Sequence, residues 1–291
     1  MGIAARGAHD LQVLATALNE GKGTAYERYA LDRFLERLIP RLELARVLEM
    51  PANGVMGVPG IKSLALAARG VDVTLGVPLE AVRVEVEQLW DAIGLRATIR
   101  TEPYTRSSFA DGAFDLVWNF CVYEHVPDVD ALLREMARVS RRYVLVVTQN
   151  PYNPGIPVHR LYHRLRNEPW DHGELGHVAP HQVVRAIEAT GARIVETGGL
   201  DLPPWPDINM QLTPPVEAGP ERYDAPYAEL RPGVIRQSTQ AIIEKIRALS
   251  PHQGFWPRFY RAWHRLEQVL PRQLLRFTAH HPYVIAEVPK R

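Results

Sequence analysis

Short apolar runs alternate with amphipathic segments over the middle of the chain. The apolar runs predict six strands, at residues 46–50, 71–77, 97–100, 114–120, 143–148 and 192–197. Between them, apolar residues recur at helical spacing and predict helices at 62–68, 79–93, 129–139 and 180–190. Strands that alternate with helices are typical of βαβ units. The pattern therefore predicts an α/β fold with a doubly wound, mostly parallel sheet that is covered on both faces.

The segments on either side of this region have a different pattern. Residues 1–44 predict helix, which Pro40 interrupts. After residue 200, clustered prolines predict an irregular loop, and helical patterns follow at about 233–249 and 256–277. A last strand is predicted at 283–288, as an antiparallel edge hairpin with 192–197. The predicted parts are an N-terminal helical segment (1–44), a βαβ domain (45–200), a helical insertion (201–280) and a returning strand (281–291).

Composition narrows the class of protein. The 291 residues are 46% hydrophobic and 23% charged, which is typical of a soluble globular chain with a sizeable core. The net charge of +1 gives no overall field that would recruit nucleic acid. Cys121 is the single cysteine, which excludes an internal disulfide framework and a cysteine-rich metal site. With no apolar run of spanning length and no apolar core near Met1, we expect a cytoplasmic protein.

The first chemical signal lies where the first predicted strand ends. Glu49 stands at that end, and a turn over 51–60 that contains Gly54 leads into a helix. A strand, a glycine-containing turn and a helix form the usual cradle for an adenosine-containing cofactor, because glycine lets the backbone approach the ligand. The alternative is an ordinary turn with Glu49 in solvent.

The second signal is the polar end of the fourth predicted strand, at 114–120. Asn119 and Tyr123 are candidate contacts to cofactor or substrate, because this strand end faces the site in a doubly wound sheet. His125 is a candidate general base. Its alternative role is a polar cap on the helix that begins near Asp128. Trp118 and Phe120 of this strand are expected in the core.

Together, these segments resemble the class I S-adenosylmethionine-dependent methyltransferases, and within them the type 11 or UbiE-like branch. The resemblance rests on Glu49 and on the runs at 109–117, 124–127 and 132–139, and it covers roughly residues 40–200 and the last strand. It implies a seven-stranded Rossmann-like sheet, with S-adenosylmethionine across the carboxyl ends of the first, second and fourth strands. It implies that the turn with Gly54 holds the methionine part and that Glu102 lies near the adenine.

The sequence departs from the family pattern at two places. Pro51 and Asn53 stand where the first two glycines of the turn are usual, and the second strand ends at Pro78 without the acid that binds the ribose. These departures favour, as an alternative, a catalytically degenerate binding or regulatory protein on the same fold. A nicotinamide-dependent oxidoreductase ranks last, because it also requires that missing acid.

Two later segments are candidates for binding the substrate. We expect residues 150–178 to form a loop over the site, in which His172 and His177 orient the substrate. The spacing of the histidines there does not suit a metal, so no metal site is predicted. The proline-rich loop after residue 200 carries Trp205 and Asp207 as a substrate wall, although a structural crossover with Trp205 simply packed is the alternative.

The sequence as a whole predicts an enzyme that transfers the methyl group of S-adenosylmethionine to a small-molecule acceptor at oxygen, nitrogen or carbon. The expected step is an in-line SN2 displacement, helped mainly by orientation and desolvation. Tyr123 and His125 are the predicted catalytic pair. The insertion is expected to cap the pocket, and its aromatic helices have a homodimer face or a membrane surface as alternative uses.

Overall fold

Seven strands form one sheet in the part of the chain that the computed structural model describes, which is residues 22–52, 60–167, 174–202 and 255–290. The strands are β1 (Arg46–Glu49), β2 (Asp72–Val77), β3 (Thr98–Thr101), β4 (Phe114–Phe120), β5 (Ser140–Val147), β6 (Arg193–Leu200) and β7 (His281–Glu287). The described helices are α1 (Lys22–Leu42), α2 (Leu64–Ala68), α3 (Glu80–Ile93), α4 (Val129–Val139), α5 (Gly155–Arg166), α6 (Pro180–Glu188), α7 (Phe255–Val269) and α8 (Arg272–Thr278).

The strand order is β3-β2-β1-β4-β5-β7-β6, and β7 runs antiparallel to both of its neighbours while the other pairs are parallel. This confirms the predicted α/β class and the seven-stranded, mostly parallel Rossmann-like sheet. The chain turns to opposite sides of the sheet from β1, so β1 and β4 flank the topological switch point. Ligands of open α/β sheets bind at the carboxyl ends of strands beside such a point.

The last strand differs from its predicted place. It pairs antiparallel with β6 as expected, but it also pairs with β5 and therefore lies inside the sheet, with β6 at the edge. The reason is its composition. Residues 281–286 are all buried, which suits a strand with neighbours on both sides, whereas β6 exposes Arg193 and Val195.

Three helical predictions also need correction. The helix α1 continues through Pro40 to Leu42, because a proline in the last turn costs a single backbone hydrogen bond. The helix expected over 256–277 is divided into α7 and α8, since Pro271 stands at the N-terminal cap of α8. The segment expected as a loop over 150–178 contains α5. The expected helix over 233–249 and the proline cluster lie outside the described residues.

Each face of the sheet carries its own apolar core. One core packs α1, α2 and α3 against a face that includes Leu75 and Trp118. The other packs α4 and α6 against the opposite face, where Val117 and Val144 lie. The aromatic residues that end β4 are buried, as expected. Among the described helices, none is both long and apolar enough to cross a membrane.

Candidate active site

Glu49 lies at the carboxyl end of β1 and is 2% exposed. Its Oε2 accepts a hydrogen bond of 2.6 Å from the Ser63 hydroxyl, which itself accepts one of 3.2 Å from the Trp118 indole. The alternative that placed Glu49 in solvent is therefore wrong. The carboxylate is enclosed at the switch point between β1 and β4, and the neutral hydroxyl of Ser63 is its hydrogen-bond donor.

The ionisation of Glu49 follows from this enclosure. Burial raises its pKa to about 7, against the opposing effects of the Ser63 hydrogen bond and the charge of Lys62. Near neutral pH, Glu49 is therefore divided between its acid and its carboxylate forms. A cationic group brought next to it would favour the carboxylate.

Asn119 lies on β4 one residue beyond Trp118, and its side chain reaches the other face of the sheet. Its Nδ2 donates to Met136 Sδ of α4 at 3.3 Å, whereas Trp118 contacts Ser63 on the face of Glu49. The Asn119 Oδ1 is buried and has no hydrogen-bond partner among the described residues, so it is an available acceptor at this strand end. The structure thus places two of the predicted cofactor contacts, Glu49 and Asn119, on opposite faces of the sheet.

Glu102, which follows β3, is buried and already partnered. Its carboxylate accepts from the Ser108 backbone N–H at 2.8 Å and from the Ser108 hydroxyl at 2.6 Å, and it pairs with Arg100 at 3.1 Å. These bonds fasten the loop that links β3 to β4. A further contact of Glu102 with an adenine would have to share this carboxylate.

The two predicted catalytic residues lie in a single 3₁₀ turn, Tyr123–His125, directly after β4. The Tyr123 ring is buried with its centroid 5.5 Å from that of His177, and burial raises the Tyr123 pKa to about 12, so its phenol is protonated at neutral pH. The structure therefore brings Tyr123 and His177 together, as a substrate-orienting role for His177 requires. The side chain that caps α4 is Asp128, which accepts from Ala131 N at 2.8 Å, so His125 does not have that role.

Glu124, in the same turn, is a candidate that the sequence analysis did not select. It is 3% exposed, its Oε1 accepts from Gln149 N at 3.2 Å, and burial raises its pKa to about 7. Its Oε2 is buried and, in the described ranges of the chain, has no hydrogen-bond partner. The available signal was its place in the run at 124–127, which carried the family resemblance.

The structure also shows a buried charge cluster that the sequence analysis missed. It consists of Glu27 from α1, Lys62 before α2, Asp201 after β6 and His281 at the start of β7, all at most 6% exposed. Lys62 forms an ion pair with Glu27, and His281 Nε2 lies 3.3 Å from Glu27 Oε2 and 3.6 Å from Asp201 Oδ2. No spacing in the sequence could reveal this cluster, because its members come from four separate segments.

Four predicted site residues lie outside the described residues. They are Gly54, His172, Trp205 and Asp207. Gly60, the first described residue after Ala52, has a φ of +71°, and a Cβ there would lie 2.7 Å from Val86 Cγ1. Glycine is therefore required at this position, shortly before α2.

Comparison with known proteins gives a family match over the centre of the chain. Residues 56–147, from the turn after β1 to the end of β5, match the family model described as a methyltransferase domain. This stretch of the chain is therefore similar to a methyltransferase domain. This match confirms the predicted enzyme class, a methyltransferase with S-adenosylmethionine as cofactor. No curated protein matches the chain in sequence.

Solved structures show the same fold at low sequence identity. The [4+2]-cyclase SpnF is 15% identical, with 89% of this chain and 82% of that chain covered at a TM-score of 0.50. Magnesium protoporphyrin IX methyltransferase from Synechocystis PCC 6803, solved with bound SAH, is 17% identical over 62% of this chain and 79% of that one, with a TM-score of 0.49. A SAM-dependent methyltransferase from Aquifex aeolicus is 14% identical over 57% and 83%, with a TM-score of 0.43.

Proposed function

We propose that this protein transfers a methyl group from S-adenosylmethionine to a small-molecule acceptor by in-line displacement. The single observation that carries the proposal is the buried carboxylate of Glu49 at the switch point between β1 and β4. A carboxylate at that place suits the ammonium group of the cofactor's methionine part. The methyltransferase domain over residues 56–147 begins just beyond it.

The rest of the cofactor is assigned to the neighbouring strand ends. We assign the methionine part of the cofactor to the turn with Gly54. The Oδ1 of Asn119 is our candidate acceptor for a hydrogen bond from the ligand. Glu102 lies by the adenine. The acid that usually binds the ribose is absent from the carboxyl end of β2, where Val77 is the last residue. The first acid beyond β2 is Glu80, which opens α3 and accepts from the Thr101 hydroxyl at 2.7 Å, and we assign the ribose hydroxyls to it.

The acceptor is assigned to the turn after β4. In the reaction, a lone pair of the acceptor atom forms a bond to the methyl carbon while the carbon–sulfur bond breaks, and S-adenosylhomocysteine leaves. A proton of an oxygen or nitrogen acceptor passes to a base, for which His125 is our candidate. Tyr123 and His177 orient the acceptor, and His172, Trp205 and Asp207 complete its wall. Alignment and desolvation supply most of the rate.

Finer assignments belong to the same proposal. They are the UbiE-like branch, a cytoplasmic location, the four-part division of the chain at 1–44, 45–200, 201–280 and 281–291, and an insertion that caps the pocket instead of forming a homodimer face. Deletion of residues 211–280 with a short linker should abolish turnover of a true acceptor, whereas full activity in that deletion would contradict the cap.

The central test is calorimetric titration of S-adenosylmethionine and S-adenosylhomocysteine into the wild type and Glu49→Gln. The substitution keeps the shape of the side chain and removes its charge, so we expect affinity to fall about 10- to 150-fold. The matched control is Glu43→Gln, which alters an exposed carboxylate 3.4 Å from Arg142 and should leave the affinity unchanged.

The same titration at pH 6, 7 and 8 tests the role of the Glu49 charge. The ligand's ammonium binds the carboxylate form, while the free protein holds Glu49 with a pKa of about 7. Wild-type affinity should therefore fall as the pH decreases below 7, by up to about tenfold per pH unit. Glu49→Gln should lose this dependence. Equal affinity of wild type and Glu49→Gln at all three pH values would remove Glu49 from the site.

One observation favours a second candidate, a binding or regulatory protein without methyl transfer. Pro78 stands where the ribose acid is usual, and the fold also occurs in a [4+2]-cyclase. The same titration separates the two candidates, because this alternative predicts no saturable binding of the cofactor. Binding of NADH in its place would contradict both.

A further inference from the structure

We propose that Glu27, Asp201 and His281 of the buried charge cluster form a binding site for a divalent transition-metal ion. The site lies on the same edge of the sheet as the candidate active site, because Asp201 follows β6 and His281 begins the antiparallel β7. Three separate parts of the chain supply one ligand atom each. These three atoms lie within 4.8 Å of one another.

The distances between the ligand atoms fit a shared ion. Bonds from such a metal to imidazole nitrogen and carboxylate oxygen are about 2.0–2.2 Å long, which places two ligands of a tetrahedral ion about 3.4 Å apart. The His281 Nε2 is 3.3 Å from Glu27 Oε2 and 3.6 Å from Asp201 Oδ2. Both separations match the edge of such a tetrahedron.

A second, independent observation is the orphaned oxygen of Asp201. The residue is 2% exposed, and within the part of the chain that the structure describes, its Oδ1 is buried with no hydrogen-bond partner. A buried carboxylate oxygen without a donor is costly, and native proteins usually satisfy such an atom with a donor, a water or an ion.

The groups around the three ligands hold them in place. Lys62 binds Glu27 through Oε1 and so leaves Oε2 directed to His281. On the other side of the imidazole, Cys121 Sγ lies 3.2 Å from His281 Nδ1, and a proton on Nδ1 leaves the lone pair of Nε2 for a metal. The ring of His280 supports Asp201, with 3.2 Å between Nδ1 and Oδ2.

The ligand set indicates the class of metal. One imidazole with two carboxylates suits Mn²⁺, Fe²⁺ or Zn²⁺ better than the hard ions Mg²⁺ and Ca²⁺, which prefer oxygen ligands alone. Three protein ligands leave at least one position open. An oxygen ligand suits the open position. That oxygen would belong to the methyl acceptor, a step that rests on the proposed function, whereas metal binding does not.

The test uses the full-length chain without a histidine tag, stripped of metal with EDTA and dialysed. Mn²⁺ and Zn²⁺ are titrated in the absence of S-adenosylmethionine, with Mg²⁺ as the hard-ion comparison. Bound metal is measured by elemental mass spectrometry and, for Mn²⁺, by electron paramagnetic resonance. We expect one Mn²⁺ or Zn²⁺ per chain, and a melting temperature that rises with metal concentration.

Variants assign the binding to these residues. His281→Gln and Asp201→Asn should each weaken binding more than 100-fold, and His280→Gln, which alters an outer partner, about 10- to 100-fold. The matched control is His163→Gln. The rings of His159 and His163 face each other across one turn of α5, with 3.0 Å between their Nε2 atoms, so this pair is the obvious adventitious site. The control should keep the wild-type affinity.

Several results would overturn the proposal. These are a folded wild type that takes up less than one ion per chain, a folded His281→Gln or Asp201→Asn that keeps its affinity, and a loss of binding in His163→Gln alone. Circular dichroism verifies the fold of each variant, and Glu27→Gln replaces any variant that is unfolded. Because the metal titration contains no S-adenosylmethionine, a failure of metal binding can be told apart from a failure of the proposed methyl transfer.

Discussion

The two halves of the carboxyl edge hold their buried acids in different ways. On the side of β1 and β3, each acid is held by a residue that is near in sequence. Glu49 is 14 residues from Ser63, and Glu102 is six residues from Ser108. On the side of β4, β6 and β7, the contacts join distant segments, as between Cys121 and His281, 160 residues apart. The first half is built from local turns, and the second forms only when the whole chain is folded.

Glu49 and Glu27, one acid from each half, differ in their charge. Glu49 and Glu27 are similarly buried, yet burial raises the pKa of Glu49 to about 7, whereas Lys62 and His281 outweigh burial at Glu27 and hold its pKa below the usual range. The partner, and not the degree of burial, therefore determines whether the acid is ionised. Three further experiments test this contrast.

The largest effect is expected from Lys62→Met, which removes the cation of the buried pair and leaves the Glu27 carboxylate enclosed. Breaking such a pair from one side typically costs about 3–5 kcal/mol. We expect the free energy of unfolding to fall by that amount in EDTA-containing buffer, measured by urea denaturation. The double variant Glu27→Gln/Lys62→Met should recover part of the loss, since no charge is then left unpaired. A loss below about 1 kcal/mol in the single variant would show that solvent reaches the pair.

A smaller effect is expected from the titration of Glu49. Its pKa is about 7 in the folded protein and near 4.5 when unfolded, so the folded state binds the proton more tightly. Its contribution to stability is therefore present below pH 4.5 and is lost as the pH rises through 7. In Glu49→Gln this loss is absent, and the difference in unfolding free energy between pH 5 and pH 8 should shrink by about 2–3 kcal/mol. Parallel pH profiles for the two proteins would contradict the raised pKa.

The smallest effect is expected from Ser108→Ala, which removes the hydroxyl bonded to Glu102 at 2.6 Å and keeps the backbone N–H bond. We expect a loss of about 1 kcal/mol in unfolding free energy, because one of the two bonds from Ser108 to the acid remains. Ser107→Ala is the comparison, since its hydroxyl serves Glu135 instead. If Ser108→Ala costs as much as Lys62→Met, the two halves of the edge do not differ as described.

The sequence allowed most of the fold to be predicted, because burial on both faces leaves apolar runs. The strand at 114–120 and the helix at 129–139 have their predicted bounds. The interior place of β7 was not predicted, since its neighbours are set by the path of the whole chain. Polar residues at the ends of these apolar runs, such as Glu49 and Asn119, could also be selected from the sequence. The buried charge cluster was not, because histidine and acid residues in separate segments give no local pattern.

The junction of β6 and β7 has a consequence for how this protein can vary. Leu200 is the register partner of His281, so the whole stretch 201–280 leaves and re-enters the sheet at one rung. The entropy of closing a loop between fixed ends grows only slowly with its length, by about 0.6 kcal/mol per doubling. Segments of quite different length and sequence can therefore be exchanged between Leu202 and α7, while α7, α8 and the seven strands keep their contacts. This stretch is a natural splice point at which recombination, or a protein engineer, could graft a new specificity onto an unchanged sheet.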